Sequence, residues 1–405
     1  MKPNWSRICL AINLCGFLAL IAVVACGPGG TIYDERWNLH NVDLVREVGW
    51  HDALTHTLSA AGPLYTALHL VLAPITHLGG PPLRFPNVAL LLAVVALTAA
   101  AGMRLGLARP WLAASVFLAV PFAWPVCGMA LTEIPALIFC TAGILLALRM
   151  WERRDAPLGQ SVGWAIGAGL AFGIACVGRQ TYLLALAGLA AFLTWDRRTW
   201  VLVAIMGATA LAAVAPLLIV WGGITPPSLP LLDTGLKFEH GVWSFAYAGL
   251  ATLFVAPRWL FPRTKWPCVA AGLAFAGALV FPVVWITPAR SLAERFLAPS
   301  LMPVYSRAAS ALLAALAALW LLRIVGQMWT LRHDRAQLFV HSVLLLVAVT
   351  PIKISVQFSS RYVATGLTAL ILAASSEQKP GLPLALRCLA GHAIGVGLLL
   401  SYYRS

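Results

Sequence analysis

The side chains in this sequence that could do chemistry are few, and most of them are charged. Asp34 and Glu35 stand together in Thr31-Ile-Tyr-Asp-Glu-Arg-Trp37, close behind the first apolar run. An acid pair where a span leaves the bilayer is costly to hold near hydrocarbon, so it is a candidate general base with a partner. The competing reading is a solvated acidic loop. Glu133 is a lone acid in the apolar run Met129-Ala-Leu-Thr-Glu-Ile-Pro-Ala-Leu-Ile-Phe139. Such an acid costs about 2.5–3.5 kcal/mol at a helix centre and less near an end. Pro135 suits a first helical turn, so Thr132 or Glu133 could equally be a cap. Arg179-Gln-Thr181 separates two short apolar runs. It is either the charged tip of a hairpin or an arginine facing an anion in a cavity, with Gln180 beside it. Arg290, Glu294 and Arg295 fall in the connection Thr287-Pro-Ala-Arg-Ser-Leu-Ala-Glu-Arg-Phe296, and Arg361 follows Ser359 and Ser360. Paired arginines can fork a phosphate, or Glu294 can simply neutralise its neighbours. His51, Asp52 and His56 are too loosely spaced to fix a metal, and none is expected. No Walker loop, Ser/His/Asp order or dinucleotide fingerprint stands out.

The elements that must hold these residues are apolar helices. The chain has 405 residues, 60% hydrophobic and 10% charged, against about 25% charged in soluble domains. An all-α, polytopic integral membrane protein follows. The net charge of +14 reflects Lys and Arg at cytoplasmic span ends, and nucleic acid is not expected as a partner. The eight cysteines show no C-x-x-C pairing and read as small apolar residues. Lys2 and Arg7 before the first span suit a signal anchor better than a cleaved signal.

The expected spans are 8–26, 84–104, 110–126, 131–150, 162–178, 180–195, 199–221, 241–257, 266–287, 306–325, 337–352, 358–375 and 385–402. That makes about 13 spans (range 11–14). The chain is read as one membrane unit, 1–405, with a first outer loop at 27–83, core spans at 84–222 and C-terminal spans at 223–405. Within the loop, 36–58 has a weak helical pattern suited to the membrane surface. The segment 61–78, short and with prolines near both ends, is taken as juxtamembrane. If it crossed, Arg149, Arg153 and Arg154 would lie outside, against the positive-inside rule. This parity gathers Asp34, Glu133, Arg179, Arg290, Arg295 and Arg361 on the non-cytoplasmic face. Gly163-x-x-x-Gly167 and Gly169-x-x-x-Gly173 are both expected to bring helices close.

Four short motifs resemble polytopic glycosyltransferases of the GT-C superfamily that use polyprenyl-phosphate sugars. They look most like the dolichyl-phosphate-glucose α-1,2-glucosyltransferase family. Tyr33-Asp-Glu35 follows the first span, as the family's acid pair does. Gly62-Pro-Leu-Tyr65 looks like its Pro-Gly-Leu-Tyr turn with two residues exchanged. Leu83-Arg-Phe-Pro-Asn87 resembles its Leu-Arg-Phe-x-Asn, and Arg179-Gln-Thr181 matches its Arg-Gln-Thr. Thr132-Glu133, Glu294-Arg295 and Arg361-Tyr362 are weaker echoes. The order is kept over about residues 30–365. The chain is short for the eukaryotic family, which suits a bacterial member in the inner membrane with its site facing the periplasm.

The resemblance implies transfer of a hexose, glucose in the family, from a polyprenyl-phosphate to a hydroxyl of a glycan, lipid or protein. Asp34 would be the base, with Glu35 or Glu133 as partner or substitute. Arg179, Arg290, Arg295 and Arg361 would hold the donor phosphate, and Gln180 and Tyr65 would line the substrate. The partners are then a polyprenyl-phosphate sugar, a glycan or lipid-linked acceptor and the bilayer, with no cofactor. A secondary transporter or a lipid-linked-sugar flippase is the alternative. A transporter should show paired halves, and no internal repeat is found.

Overall fold

A computed structural model gives the fold over residues 3–57, 59–229, 235–261, 265–282, 284, 287–354 and 358–404, with the backbone alone at 287–289 and 291–292. The described residues are helical and contain no strand. In chain order the α-helices begin with α1 (Trp5–Ala25), α2 (Glu35–Thr55), α3 (Leu64–Thr76), α4 (Gly80–Arg104), α5 (Pro110–Ser115) and α6 (Ala123–Gly128). Next come α7 (Glu133–Glu152), α8 (Leu158–Gly178), α9 (Tyr182–Ala185), α10 (Arg197–Trp221), α11 (Phe238–Val255), α12 (Pro257–Leu260) and α13 (Trp266–Val280). The last are α14 (Thr287–Phe296), α15 (Met302–Thr330), α16 (Arg335–Val349), α17 (Arg361–Ala364), α18 (Leu367–Ala374) and α19 (Leu382–Tyr403).

Local chemistry explains many of the boundaries. Asn4, Asp196 and Asp334 cap α1, α10 and α16 with side-chain oxygens that accept from Arg7, Arg198 and Gln337 backbone N–H groups. These bonds satisfy N–H groups that a helix start leaves unpaired. Proline stands in the first turn of α4, α5, α12, α13, α15 and α19, where no N–H is needed.

Among the described residues, eight helices are long and apolar enough to cross a membrane: α1, α4, α7, α8, α10, α15, α16 and α19. The protein is an integral, multi-pass membrane protein. The other five expected spans are shorter, broken or more polar. Segment 110–126 divides into α5, a 3-10 turn and α6, and 358–375 divides into α17 and α18. Segment 180–195 is α9 running into a 3-10 helix, α13 has only 15 residues, and α11 carries Glu239 in its first turn. Among the described residues, eight of the thirteen expected spans are therefore single helices of spanning length and composition.

The segment 27–83, expected as the first outer loop, contains the helices α2 and α3. α2 breaks at Gly49, whose φ is 82°, a value glycine adopts without steric cost. α3 has 13 residues, about 20 Å at 1.5 Å per residue, which is short of the roughly 30 Å hydrocarbon core. The segment 287–296, read above as a loop, is the helix α14.

α8 packs between α7 and α10, α4 lies along α7, and α1 lies along α19. Of the two glycine pairs in α8, only one makes a close approach. A Cβ on Gly169 would stand 2.4 Å from the Met206 carbonyl, and one on Gly173 would stand 2.5 Å from Ala213 Cβ. A Cβ on Gly163 would meet nothing within 4 Å, and one on Gly167 would touch only Leu146 at 3.7 Å. Because α7 and α8 are antiparallel neighbours, Glu133 and Arg179 come to the same end of the bundle.

Candidate active site

The site starts from a buried ion pair that the sequence reading did not assign. Glu35 and Arg84 have fully buried side chains, with Arg84 Nε 2.8 Å from Glu35 Oε1. Arg84 Nη2 donates to Oε2 at 2.9 Å, which makes the pair a fork. The backbone N–H groups of Ala130 and Ile32 donate to the same carboxylate at 2.9 and 3.0 Å. Each Glu35 oxygen thus accepts two bonds. Two of the three remaining Arg84 hydrogens reach the carbonyls of Pro28 at 2.8 Å and Gly30 at 2.9 Å, and the Tyr403 ring lies 4.9 Å away.

One turn further along α4, Asn87 Nδ2 donates to the carbonyls of Met129 at 2.7 Å and Leu131 at 3.0 Å. Segments 28–35 and 129–131 are therefore both fastened to the start of α4. This accounts for Arg84 and Asn87 of the Leu-Arg-Phe-Pro-Asn motif. The motif was visible in the sequence, but an arginine at the head of a span looks like an ordinary interfacial charge.

Asp34 points elsewhere. It sits just before α2, its side chain makes no capping bond, and its Oδ2 is paired with Arg361 Nη2. Tyr33 beside it has φ 49°, a left-handed turn that is unfavourable for a side-chain-bearing residue. The turn is held by the Glu35 bonds and by an edge-on contact of the Tyr33 and Tyr402 rings at 5.3 Å. Such a turn lets adjacent carboxylates face different partners.

Glu133 is the first residue of α7, where the helix dipole favours a carboxylate. Its Oε1 accepts from Arg179 Nη1 at 2.7 Å and lies 3.5 Å from Arg361 Nε. Its Oε2 is buried with no hydrogen-bond partner. Arg179 closes the C-terminus of α8, and its Nη1 also donates to Thr132 Oγ1 at 2.7 Å. Thr132 makes no capping bond, so its hydroxyl serves Arg179 and not the helix end. The Tyr362 ring lies 5.6 Å from the Arg179 guanidinium and 5.9 Å from that of Arg361, within cation–π range.

Asp34, Arg361, Glu133 and Arg179 thus form one chain of alternating charge. Along it the side-chain exposures are 30% for Asp34, 20% for Arg361, 1% for Glu133 and 11% for Arg179, so Glu133 is the buried member and Asp34 the most exposed. The open end is Asp34. It has a carboxylate with spare lone pairs, next to guanidiniums that can meet an anion.

The other candidates are arranged differently. Gln180, in the amide orientation that satisfies both ends, donates to the Ala60 carbonyl at 2.8 Å and accepts from Gly62 N–H at 3.3 Å. Gly62 N–H also donates to the Gly178 carbonyl at 3.1 Å. A Cβ on Gly62 would lie 1.8 Å from the Val177 carbonyl oxygen, so only glycine fits. The Gly-Pro-Leu-Tyr turn is therefore seated on the Arg-Gln-Thr segment. Tyr65 is buried, and its ring lies 4.2 Å from that of His69. The Tyr65 hydroxyl and both His69 ring nitrogens have no hydrogen-bond partner, and burial lowers the His69 pKa to about 4.

Arg290 and Arg295 are exposed on α14, and Arg290 Nε donates to Glu294 at 2.9 Å. His56 Nδ1 faces the Asp52 carbonyl at 2.9 Å. Among the described residues no group of three or more His, Cys, Asp and Glu could hold a metal ion.

No protein-family model matches the chain, and no curated protein matches it. Among solved structures, ArnT from Cupriavidus metallidurans bound to undecaprenyl phosphate is similar at 15% identity and a TM-score of 0.44, over 93% of this chain and 78% of that one. The apo state of ArnT gives 14% identity and 0.45 over 92% and 77%. The apo oligosaccharyltransferase of Archaeoglobus fulgidus gives 14% and 0.37 over 92% and 56%. At these values the likeness carries no argument for this chain's fold or activity. The structure itself defines a multi-pass membrane protein with a cluster of paired carboxylates and guanidiniums at one end of its bundle.

Proposed function

We propose that this protein is a membrane glycosyltransferase of the GT-C type. It moves a hexose from a polyprenyl-phosphate donor to a hydroxyl on the non-cytoplasmic face, which is the periplasmic face of a bacterial inner membrane. One observation carries the reading: a part-exposed carboxylate, Asp34, is paired with Arg361, whose guanidinium shares Glu133 with Arg179 at a helix-bundle end. That is the equipment an inverting transfer needs. The acceptor oxygen forms a bond to the anomeric carbon as the bond from that carbon to the phosphate oxygen breaks. The phosphate leaves with the electron pair and is stabilised by guanidinium donors. The acceptor's proton goes to Asp34, and a base so placed is worth about 10²–10⁴ in rate.

Glu35 is assigned a positioning role. Both of its oxygens are buried and fully engaged, which leaves it no capacity to take an acceptor's proton. Glu133 orients Arg179 and Arg361. The clamp in this reading is Arg361 with Arg179, and Arg290 and Arg295 have no part in it. The transporter and flippase readings have no observation of their own.

The test is transfer of labelled sugar from a panel of polyprenyl-phosphate donors, glucosyl first, by purified protein. Asp34→Asn should lower transfer at least about 10²-fold with an unchanged melting temperature. Wild-type transfer that survives in Asp34→Asn overturns the assignment of the base. No transfer with any donor, together with no binding of undecaprenyl phosphate, overturns the transferase.

A further inference from the structure

Both guanidiniums of the cluster are already engaged. Arg179 holds Glu133, and Arg361 holds Asp34 while its Nε faces Glu133 at 3.5 Å. Two carboxylates face two guanidiniums, so the cluster's charges balance before any substrate arrives. A donor phosphate brings another anion, and at the exposed end of the cluster the guanidinium it meets is the one that Asp34 already holds.

The two carboxylates do not hold equally. Glu133 is buried, is bonded to Arg179 at 2.7 Å, and is fixed in the first turn of α7. Asp34 stands at the exposed end of the cluster, with no capping bond to tie its side chain to α2. Glu133 also keeps Oε2 buried and unpartnered. It can therefore accept a second guanidinium bond, and Arg361 keeps a carboxylate partner when Asp34 lets go.

Resting on the transferase reading above, we infer that Asp34 and the donor phosphate compete for Arg361, so that donor binding itself releases the base. In the resting site the Arg361 guanidinium occupies Asp34 Oδ2. The phosphate takes the guanidinium, Arg361 stays braced on Glu133 and against Tyr362, and the Asp34 carboxylate turns to the acceptor hydroxyl. The order of binding follows: donor first, acceptor second. Arg361 is then both clamp and switch, and Asp34 inhibits donor binding although it is needed for transfer.

This has a consequence that an independent base would not have. Removing Asp34 should tighten the lipid phosphate. Undecaprenyl phosphate, without sugar, is titrated into full-length protein in nanodiscs, as wild type, Asp34→Asn and Asp34→Ala, each also in an Arg361→Gln background. The single Asp34 variants are expected to bind about 2- to 5-fold tighter than wild type, the upper range of a part-exposed ion pair. Arg361→Gln should bind at least about 10-fold more weakly, and in that background the Asp34 substitutions should change nothing. The double-mutant cycle matters because loss of any nearby negative charge favours an anion somewhat. Competition for one arginine vanishes with that arginine, whereas a general field effect does not.

Binding by Asp34→Asn and Asp34→Ala that is equal to or weaker than wild type overturns the inference. So does tightening that persists in Arg361→Gln. If Arg361→Gln does not fold, Arg361→Met serves, since it keeps an unbranched stem against Tyr362 and loses the charge. Wild type that transfers sugar while Asp34→Asn binds no tighter sinks the competition and leaves the enzyme standing. Wild type that neither binds nor transfers sinks the transferase itself.

Discussion

Glu35 and Asp34 are neighbours in sequence with different surroundings. Glu35 lies inside the protein with four donors on its two oxygens, and Asp34 is part-exposed with one guanidinium. A buried ion pair is a poor source of net stability, but breaking one is costly, about 3–5 kcal/mol, because the survivor is left charged and unpaired. Arg84→Met is therefore expected to lower the melting temperature sharply, and Glu35→Ala to do the same. The double variant should be less harmed than either single one, since neither charge is stranded. Thermal unfolding in detergent reads this directly. Additive losses would mean that the two residues do not act as a pair, and equal transfer by folded Glu35→Gln and Asp34→Asn would undo the division of roles between them.

Among the elements, α7 and α8 matter most, because their antiparallel packing delivers Glu133 and Arg179 to one place. α8 in turn lies against α10 through Gly169 and Gly173, where the α10 backbone leaves no room for a Cβ. In a bilayer such contacts hold helices by close packing, since lipid is as apolar as the side chains. Gly173→Val should destabilise the protein by several degrees in melting temperature and weaken transfer, because the shift reaches Arg179 at the end of the same helix. Gly163→Ala and Gly167→Ala should be silent, or slightly stabilising by helix propensity. Sequence alone could not tell these pairs apart, since both have the same spacing. The structural difference is the face on which each pair lies.

At the scale of the whole molecule, the claim that needs checking is sidedness. The proposed site and the basic cluster Arg149, Arg153 and Arg154 lie at opposite ends of α7. With Cys15, Cys26 and Cys268, the exposed cysteines, replaced by serine, Trp50→Cys should react with an impermeant maleimide in right-side-out vesicles. Asp155→Cys should react only after permeabilisation. The reverse pattern would turn the bundle over and place the cluster on the cytoplasmic side, which would remove the outer-face reading.

What the sequence determined by itself was the apolar, all-helical, membrane-spanning character, the run of the long spans, and the short list of charges that bundle ends could use. Those are local properties: span length, hydropathy and the cost of a charge near hydrocarbon are set residue by residue. The tertiary structure alone decided who pairs with whom. Glu35 meets Arg84 across 49 positions and Ala130 across 95. Asp34 meets Arg361, and α14 replaces an expected loop. Five expected spans are short, broken or polar, because hydropathy records burial and does not distinguish lipid from protein as the surroundings. Partner choice between charges of the same type is a matter of distance and burial in space, and a lone sequence carries no measure of either.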